Sequence, residues 1–412
     1  MLRRFCGYIS KVFYFDEQVF RVEDDREKPD IKTSTIWVSG LLMCVLRMGS
    51  LNAMETELCM PRRMEKLIGK RKTSIDSIGR VYSVMDLDSI RSVLVGISTR
   101  LKRNKVLRTD WPFRFAAVDG HELFTSRSRC CAGCLTRNIT INGEKVTEYY
   151  HRVVACHLTG FKIPIPLDIE PVLPGEYEVS AAKRLLERVF RNYPRFFDVV
   201  VGDALYMEAP FINYCQSHGK HVITVLKEDR LILMQDAKGI FKMTEPEVFT
   251  EENETIRVWD AEGFTTAGTD KPLRVVYAEE SEKKRRRVKG RWVEEINEHK
   301  WCWASTIPQS ELTVRRLWKA AHNRWEIENN LFNVLVNHWH MNHCYKHDPN
   351  AIVAFLLTLF IAFILVQSFY HLNIKKPVRD RLAIIAITRQ LYGDLGQNTF
   401  IAPWLLKSSA PP

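Results

Sequence analysis

Three carboxylates and one arginine carry the chemistry that this sequence offers. Asp119 ends the apolar run FAAVD, Asp203 ends VVVGD, and Glu328 lies in the stretch Ala321 to Asn337, AHNRWEIENNLFNVLVN. The ends of strands are where open α/β sheets present side chains to a crevice. Three carboxylates meeting there repel one another unless a divalent cation sits among them, and hard oxygen donors suit Mg²⁺ or Mn²⁺. Two such ions can activate a hydroxyl nucleophile and stabilise the leaving oxygen in phosphodiester cleavage. Arg324 stands four residues before Glu328, so on a helix the two share a face, and its guanidinium could orient a phosphate. Each feature alone has a plainer reading. An Asp after an apolar run is commonly a turn residue, and an Arg/Glu pair four apart is most often a surface ion pair. The order of the three, two strand-end aspartates and then a helical glutamate, is more informative than any one of them.

Other groups of residues invite sharper and plainer readings. Cys131 and Cys134 form a CxxC beside Cys130, with His151 or Cys156 as possible further ligands. A structural zinc needs four ligands, and no second pair stands at the usual spacing, so reduced thiols in a tight turn are the expectation and zinc is not. His338, His340, His343 and His347 crowd one short stretch. They read as a polar connection near the crevice rather than a transition-metal site. Trp325 is expected to pack in the core. The run Glu282 to Arg291, EKKRRRVKGR, reads as a charged loop, with phosphate contact as the sharper alternative.

The elements that must position these residues fall into five stretches. Residues 1–110 read as helical, with Trp37, Leu41, Leu42, Val45 and Leu46 at helical spacing in Ile36 to Leu51, and further helices at Ile78 to Met85 and Leu87 to Leu101. Their basic edge at Arg100, Lys102, Arg103 and Lys105 suits a small DNA-binding unit or an ordinary solvated end. Residues 111–226 alternate strands and helices: Phe113 to Val118, Tyr149 to Leu158 and Phe161 to Ile169, a helix over Tyr177 to Arg191, a short strand Val199 to Gly202, a helix over Glu208 to Ser217 and the strand His221 to Leu226. That order is mixed α/β. Residues 227–309 are β-rich and charged, with strand-like pieces at Glu254 to Trp259, Leu273 to Glu279 and Lys300 to Ser305. Residues 310–375 hold the acidic helix, with Ile327, Leu331, Val334 and Leu335 as its apolar stripe, and a nearly all-apolar segment, Ala351 to Tyr370. Residues 376–412 form a tail region.

With 412 residues, 46% hydrophobic and 26% charged, the chain can bury two or three cores and disorder is not its default. Its net charge of +11 favours a polyanionic partner, nucleic acid before an anionic membrane. Ten scattered cysteines without a secretory leader in front argue for a reducing compartment. Ala351 to Tyr370 is long enough to cross a bilayer, but Thr358, Gln367 and Ser368 favour a helix buried in protein.

Taken together, GSLNAMETEL at Gly49 to Leu58, AAVDGHELF with CCAGCLTR after it, the EYY-H at Glu148 to His151, VVVGDALY, and RWEIENNLFN leading into NHWHMNHCYKHDPNA resemble bacterial insertion-sequence transposases of the DDE family. The resemblance implies a ribonuclease-H-like mixed sheet with a β-rich insertion, preceded by an all-helical N-terminal domain. It implies Asp119, Asp203 and Glu328 as ligands of two Mg²⁺ (or Mn²⁺) ions, with Arg324 on a phosphate. It also implies double-stranded DNA as the partner (transposon ends and target), a homodimer in the synaptic complex, and a cytoplasmic, nucleoid-associated protein with no membrane attachment. Many such enzymes carry a Tyr three residues before the Arg and a Lys seven after the Glu; here those positions are Ala321 and Leu335. The missing backbone contact would then come from Lys346 or from Lys284, Arg285, Arg286 and Arg287. A decayed or domesticated DNA-binding relative without catalysis is the alternative.

Overall fold

The computed structural model describes residues 1–60, 63–70, 73–227, 231–251, 253–288, 291–397 and 399–407. Its strands are β1 (Phe115–Ser126), β2 (Leu135–Ile141), β3 (Glu144–Thr159), β4 (Ile165–Pro171), β5 (Val199–Gly202), β6 (His221–Val225), β7 (Glu247–Glu251), β8 (Glu254–Phe264), β9 (Leu273–Val288) and β10 (Arg291–Ser305). All belong to one mixed sheet. At its centre the order is β4–β3–β1–β5–β6, with β3 antiparallel to β1 and β4, and β5 and β6 parallel to β1. This is the expected ribonuclease-H-like arrangement, preceded by helices.

The apolar run VVVG of β5 is buried on both sides, as a strand covered by helices on both faces must be. Val199 and Val201 join Phe115 and Ile223 in one core, whereas Val200 joins Val222 in the other. The first core lies under helix Val314–His322 and the inner part of the β insertion. The second is larger and shared: the N-terminal helices, helix Glu178–Asn192 and helix Pro349–Ser368 pack into it together. Pro349–Ser368 is buried from Ala351 through Ser368, so the apolar segment is a core helix. Asp348 caps it by accepting the Ala351 N–H at 2.9 Å. Thr358, the hydroxyl in its middle, accepts the Trp37 indole N–H at 3.1 Å and donates to its own helix at Ala354, which leaves no polar atom of that pair unpaired.

Several expectations need correction. The first strand does not stop at Val118; β1 runs on through Asp119 to Ser126. A hairpin strand, β2, was missed. Its turn, Asn142-Gly143, has φ of 52° and 87°, the positive values that an Asn-Gly hairpin turn supplies. The segment 227–309 is β-rich but also contains a helix, Leu231–Phe241, and it is continuous with the main sheet, because β10 pairs antiparallel with β6 through Ser305 to Trp303. Within the described residues the basic run is not a loop; Lys289 and Gly290 lie outside them. Lys283 to Arg287 lie in β9, each opposite a residue of β10. The tail folds back as well: helix Ile384–Gly393 is followed by Pro403–Lys407, where the Trp404 indole donates to the Leu67 carbonyl at 2.7 Å.

Candidate active site

The sheet register brings the two aspartates together. Parallel pairing of β1 with β5 ends at Ala117 opposite Val201, and Asp119 and Asp203 each come two residues later. Because side chains alternate along a strand, the two aspartates leave the same face of the sheet. Asp203 caps the short turn Ala204–Tyr206, accepting the Leu205 N–H at 2.8 Å. Asp119 accepts the Gly120 N–H at 2.9 Å. Glu328 arrives from the segment that covers β1. The Arg324 guanidinium joins it to Asp119, with Nη1 3.2 Å from Asp119 Oδ2 and 2.8 Å from Glu328 Oε1. Arg324 is buried, and its guanidinium stacks 4.4 Å from the Trp325 ring. The plain surface ion pair is therefore excluded.

Electrostatics mark this cluster as short of positive charge. Burial pushes the Asp119 carboxyl up to about 7, and the neighbouring Glu328 and Asp203 carboxylates add to the rise, while Arg324 and the Gly120 N–H oppose it. One guanidinium thus pairs with two of the three carboxylates, and Asp119 feels the charge of both others. Oxygen donors crowded in this way fit a divalent cation such as Mg²⁺ or Mn²⁺.

The acidic stretch differs from the continuous helix Ala321 to Asn337. Helix Val314–His322 ends first, Asn323 and Arg324 form a turn, and the resumed helix is π-helical over Ile327–Phe332 before Asn333–Trp339. A π segment widens the turn and often accompanies function. It also rotates later residues away from the face of Glu328. Leu335 is accordingly sealed in the core with Ile327 and Leu331, and Ala321 is buried in the other core. Neither position can reach DNA. Two carboxylates hold the ends of this stretch. Glu280 on β9, itself buried, accepts from the Trp318 and His322 rings at 2.7 Å and from Trp301 at 3.0 Å. Glu326 accepts the Gly160 N–H through both oxygens, at 2.9 and 3.1 Å. Glu326 is thus a staple between the end of β3 and the acidic segment.

Sequence reasoning missed the groups that support Asp119. Glu178, the first residue of its helix, is buried behind β1, where a Cβ on Gly120 would meet its Oε2 at 2.2 Å. Any side chain there would displace the Glu178 carboxylate. Glu178 accepts from Arg152 at 2.5 Å and from the Tyr206 hydroxyl at 2.8 Å. Burial first, then the Glu178, Asp119 and Asp203 charges, raise the Tyr206 hydroxyl well above its ordinary value, so it stays a neutral donor. His121, two residues after Asp119 on the same face, stacks on Phe332 at 4.7 Å and meets the Asn342 side-chain oxygen at 2.9 Å. The signal available in the sequence was the DGH and DALY context itself, together with an acidic residue at a helix start.

The remaining candidates are dispersed. Arg285 is exposed and pairs across the hairpin with Glu294 at 2.8 Å. Arg287 lies opposite Trp292 on β10. The side chains of Lys284 and Arg286 lie outside the described residues. Lys346 lines an open groove with Arg80, Arg129 and Asn52, between the N-terminal helices and the link that follows the acidic helix. Of the four histidines, His340 packs against Gly49 and His343 against the Tyr345 ring. His347 alone turns to the cysteines: its Nε2 is 3.2 Å from Cys134 Sγ, and His151 joins the same group.

The profile of the Transposase DDE domain matches residues 114–365, from the first residues of β1 to the interior of the buried apolar helix. The match spans all three carboxylates and covers well over half of the chain. The chain belongs to the DDE transposase family. It is thereby assigned to DNA transposition, in a family of enzymes that bind DNA and generally use divalent metal ions. No curated protein matches it.

Proposed function

We propose that this protein binds the inverted repeats at the ends of a mobile element, cleaves the DNA there, and joins the freed 3′-hydroxyls to target DNA. The observation that carries this reading is the convergence of Asp119, Asp203 and Glu328 on one face of the sheet with a single buried guanidinium among them. Asp119, Asp203 and Glu328 would hold the divalent ions, whose chemistry when bound would be activation of the attacking hydroxyl and stabilisation of the leaving oxygen. Arg324 holds Asp119 and Glu328 at a common distance despite their repulsion. Tyr206, Arg152 and Glu178 brace the β1 backbone from behind, and Glu326 fixes the acidic segment on the end of β3. DNA backbone contact falls to Lys346 with Arg80 and Arg129 in their groove, and to the basic arm Lys284 to Arg287 of the β9–β10 hairpin. The enzyme works as a homodimer in the bacterial cytoplasm, as its relatives in the resemblance would.

Ala321 and Leu335 favour a second reading, a DNA-binding relative that has lost catalysis. One experiment separates the two. Labelled DNA carrying the inverted repeats that flank the reading frame is incubated with the protein and Mg²⁺. Nicking at the element end, abolished in Asp203→Ala, supports the transposase. No nicking by the wild type, or equal nicking by Asp203→Ala, rejects it.

A further inference from the structure

Cys131, Cys134, His151 and His347 place one donor atom each within 4.8 Å of all the others. We infer that this Cys2His2 cluster is a structural zinc site, built apart from the carboxylates and independent of them. Tetrahedral zinc with Zn–S near 2.3 Å and Zn–N near 2.05 Å requires edges of about 3.8 Å for S···S, about 3.6 Å for S···N and about 3.4 Å for N···N. The protein holds the two sulfurs 3.7 Å apart, the two Nε2 atoms 3.4 Å apart, and three S···N pairs at 3.2, 3.3 and 3.4 Å. Every one of these edges falls within about 0.4 Å of the required length. Hydrogen bonding explains the packing less well: five close contacts link these four atoms, whereas each thiol and each Nε2 carries at most one proton, and an Nε2 that donates cannot also accept.

The surroundings are those of a closed site. Cys131 and Cys134 sit in the β1–β2 turn, where the Cys131 N–H points at Cys134 Sγ at 3.3 Å and the Cys134 N–H returns to the Cys131 carbonyl at 3.1 Å. Backbone N–H groups aimed at a ligand sulfur are suited to a thiolate. Gly133 leaves room for Pro349 and His151, which a Cβ there would approach at 3.2 and 3.5 Å. The Phe124 ring covers both histidines, at 5.3 and 5.6 Å between centroids. Four protein ligands with an apolar lid leave no position for substrate, which marks a site that holds rather than reacts. Binding displaces the two thiol protons and leaves both imidazoles neutral.

The location gives the ion a task. His151 belongs to β3, which pairs with the strand of Asp119, and His347 belongs to the link that follows the segment of Glu328. Zinc would tie the two sides of the carboxylate crevice together 196 residues apart in sequence.

The test is metal analysis of the full-length protein purified without chelator from zinc-supplemented cells. One equivalent of zinc is expected, kept in Cys130→Ser and Asp203→Ala, lost in Cys134→Ser and His347→Ala, and regained in His347→Cys. Replacement by Co²⁺ should give the visible bands of a tetrahedral site together with thiolate charge transfer, a readout that needs no variant to fold. Zinc far below one equivalent in the wild type, or a Co²⁺ spectrum without thiolate bands, overturns the assignment. Because Asp203→Ala removes nicking and should leave zinc untouched, failure here and failure of the transposase reading are told apart.

Discussion

Two clusters of potential ligands straddle the same join in this protein, and they differ in almost every physical respect. The carboxylate cluster offers hard oxygens, stays partly open (the Glu328 side chain is 34% exposed) and carries more negative charge than Arg324 can balance. The Cys2His2 cluster offers sulfur and nitrogen, is roofed by Phe124, and places its atoms close to the corners of one tetrahedron. Openness and unbalanced charge suit ions that must also meet a substrate; closure suits an ion that only braces. The carboxylate cluster takes Asp119 from β1 and Asp203 from the end of β5, and the Cys2His2 cluster takes its cysteines from the β1–β2 turn and His151 from β3. Glu328 and His347 complete them from the far side. The crevice is thus bridged twice, once by groups that repel and once by groups that would be clamped.

The sharpest way to break this comparison is to remove one member of each cluster. Glu328→Gln should cut end cleavage by about 10³-fold, the several kcal/mol that metal-assisted stabilisation supplies, while leaving zinc content and the unfolding temperature of the metal-free protein unreduced. Nicking assays and calorimetry on the same preparation decide it. A large drop in unfolding temperature would mean that the carboxylates also hold the fold, and the distinction between working and bracing clusters would fail. Arg324→Ala tests the cation inside the oxygen cluster. It leaves Asp119 facing Glu328 without compensation, a change expected to cost roughly 3–5 kcal/mol in the metal-free protein. Denaturant titration should show that Mg²⁺ restores a larger part of that loss than it adds to the wild type.

How much of this was open to sequence reading follows from distance along the chain. Asp119, Asp203 and Glu328 could be singled out as candidates because each ends or occupies a strongly patterned element, and their order is itself a signature. Strand β5, helix Glu178–Asn192 and the buried helix after Asp348 were legible for the same reason, since periodicity and apolar runs are local. Of the Cys2His2 cluster, the CxxC and His151 were open to sequence reading but the link to His347 was not, because His347 becomes a neighbour of Cys134 only after the whole sheet has formed. Glu178 was hidden likewise, since its role depends on the space behind Gly120. The basic run was misread as a loop because alternating charges satisfied by a facing strand, as Arg285 is by Glu294, leave no apolar pattern to mark a strand. The π-helical turn at Ile327–Phe332 has no local signature at all, yet it explains why Leu335 faces the core.

Proton linkage sharpens the comparison from another side. Asp119 is moved from near 3.8 to about 7 by burial and by its acidic neighbours. The folded state therefore holds a proton that the unfolded chain has already released between these values, so stability contributed by neutral Asp119 is present below about pH 4 and lost as pH rises through about 7. The effect is on the order of 4 kcal/mol at most. Unfolding free energies measured in chelator across that interval should fall, less so in Asp119→Asn, and Mg²⁺ should recover the loss mainly at the upper end. A flat wild-type profile would remove the argument that this cluster lacks positive charge.

The smallest expected effect lies outside both clusters, in the groove of Lys346, Arg80 and Arg129. If these side chains meet phosphates, each releases counterions on binding, and affinity falls with a steep slope in log[salt]. Lys346→Ala should then weaken binding of end DNA and of unrelated DNA alike and lower the magnitude of that slope by about 1. Zinc content and the pH profile of unfolding should stay as in the wild type. Binding isotherms at several salt concentrations measure it directly. An unchanged slope would remove Lys346 from the DNA path and shift the missing backbone contact to the β9–β10 hairpin, where Arg285 already spends part of its charge on Glu294. Either outcome locates the substitute for Leu335, because a leucine sealed in the core beyond a π-helical turn leaves that contact to a residue elsewhere in the chain.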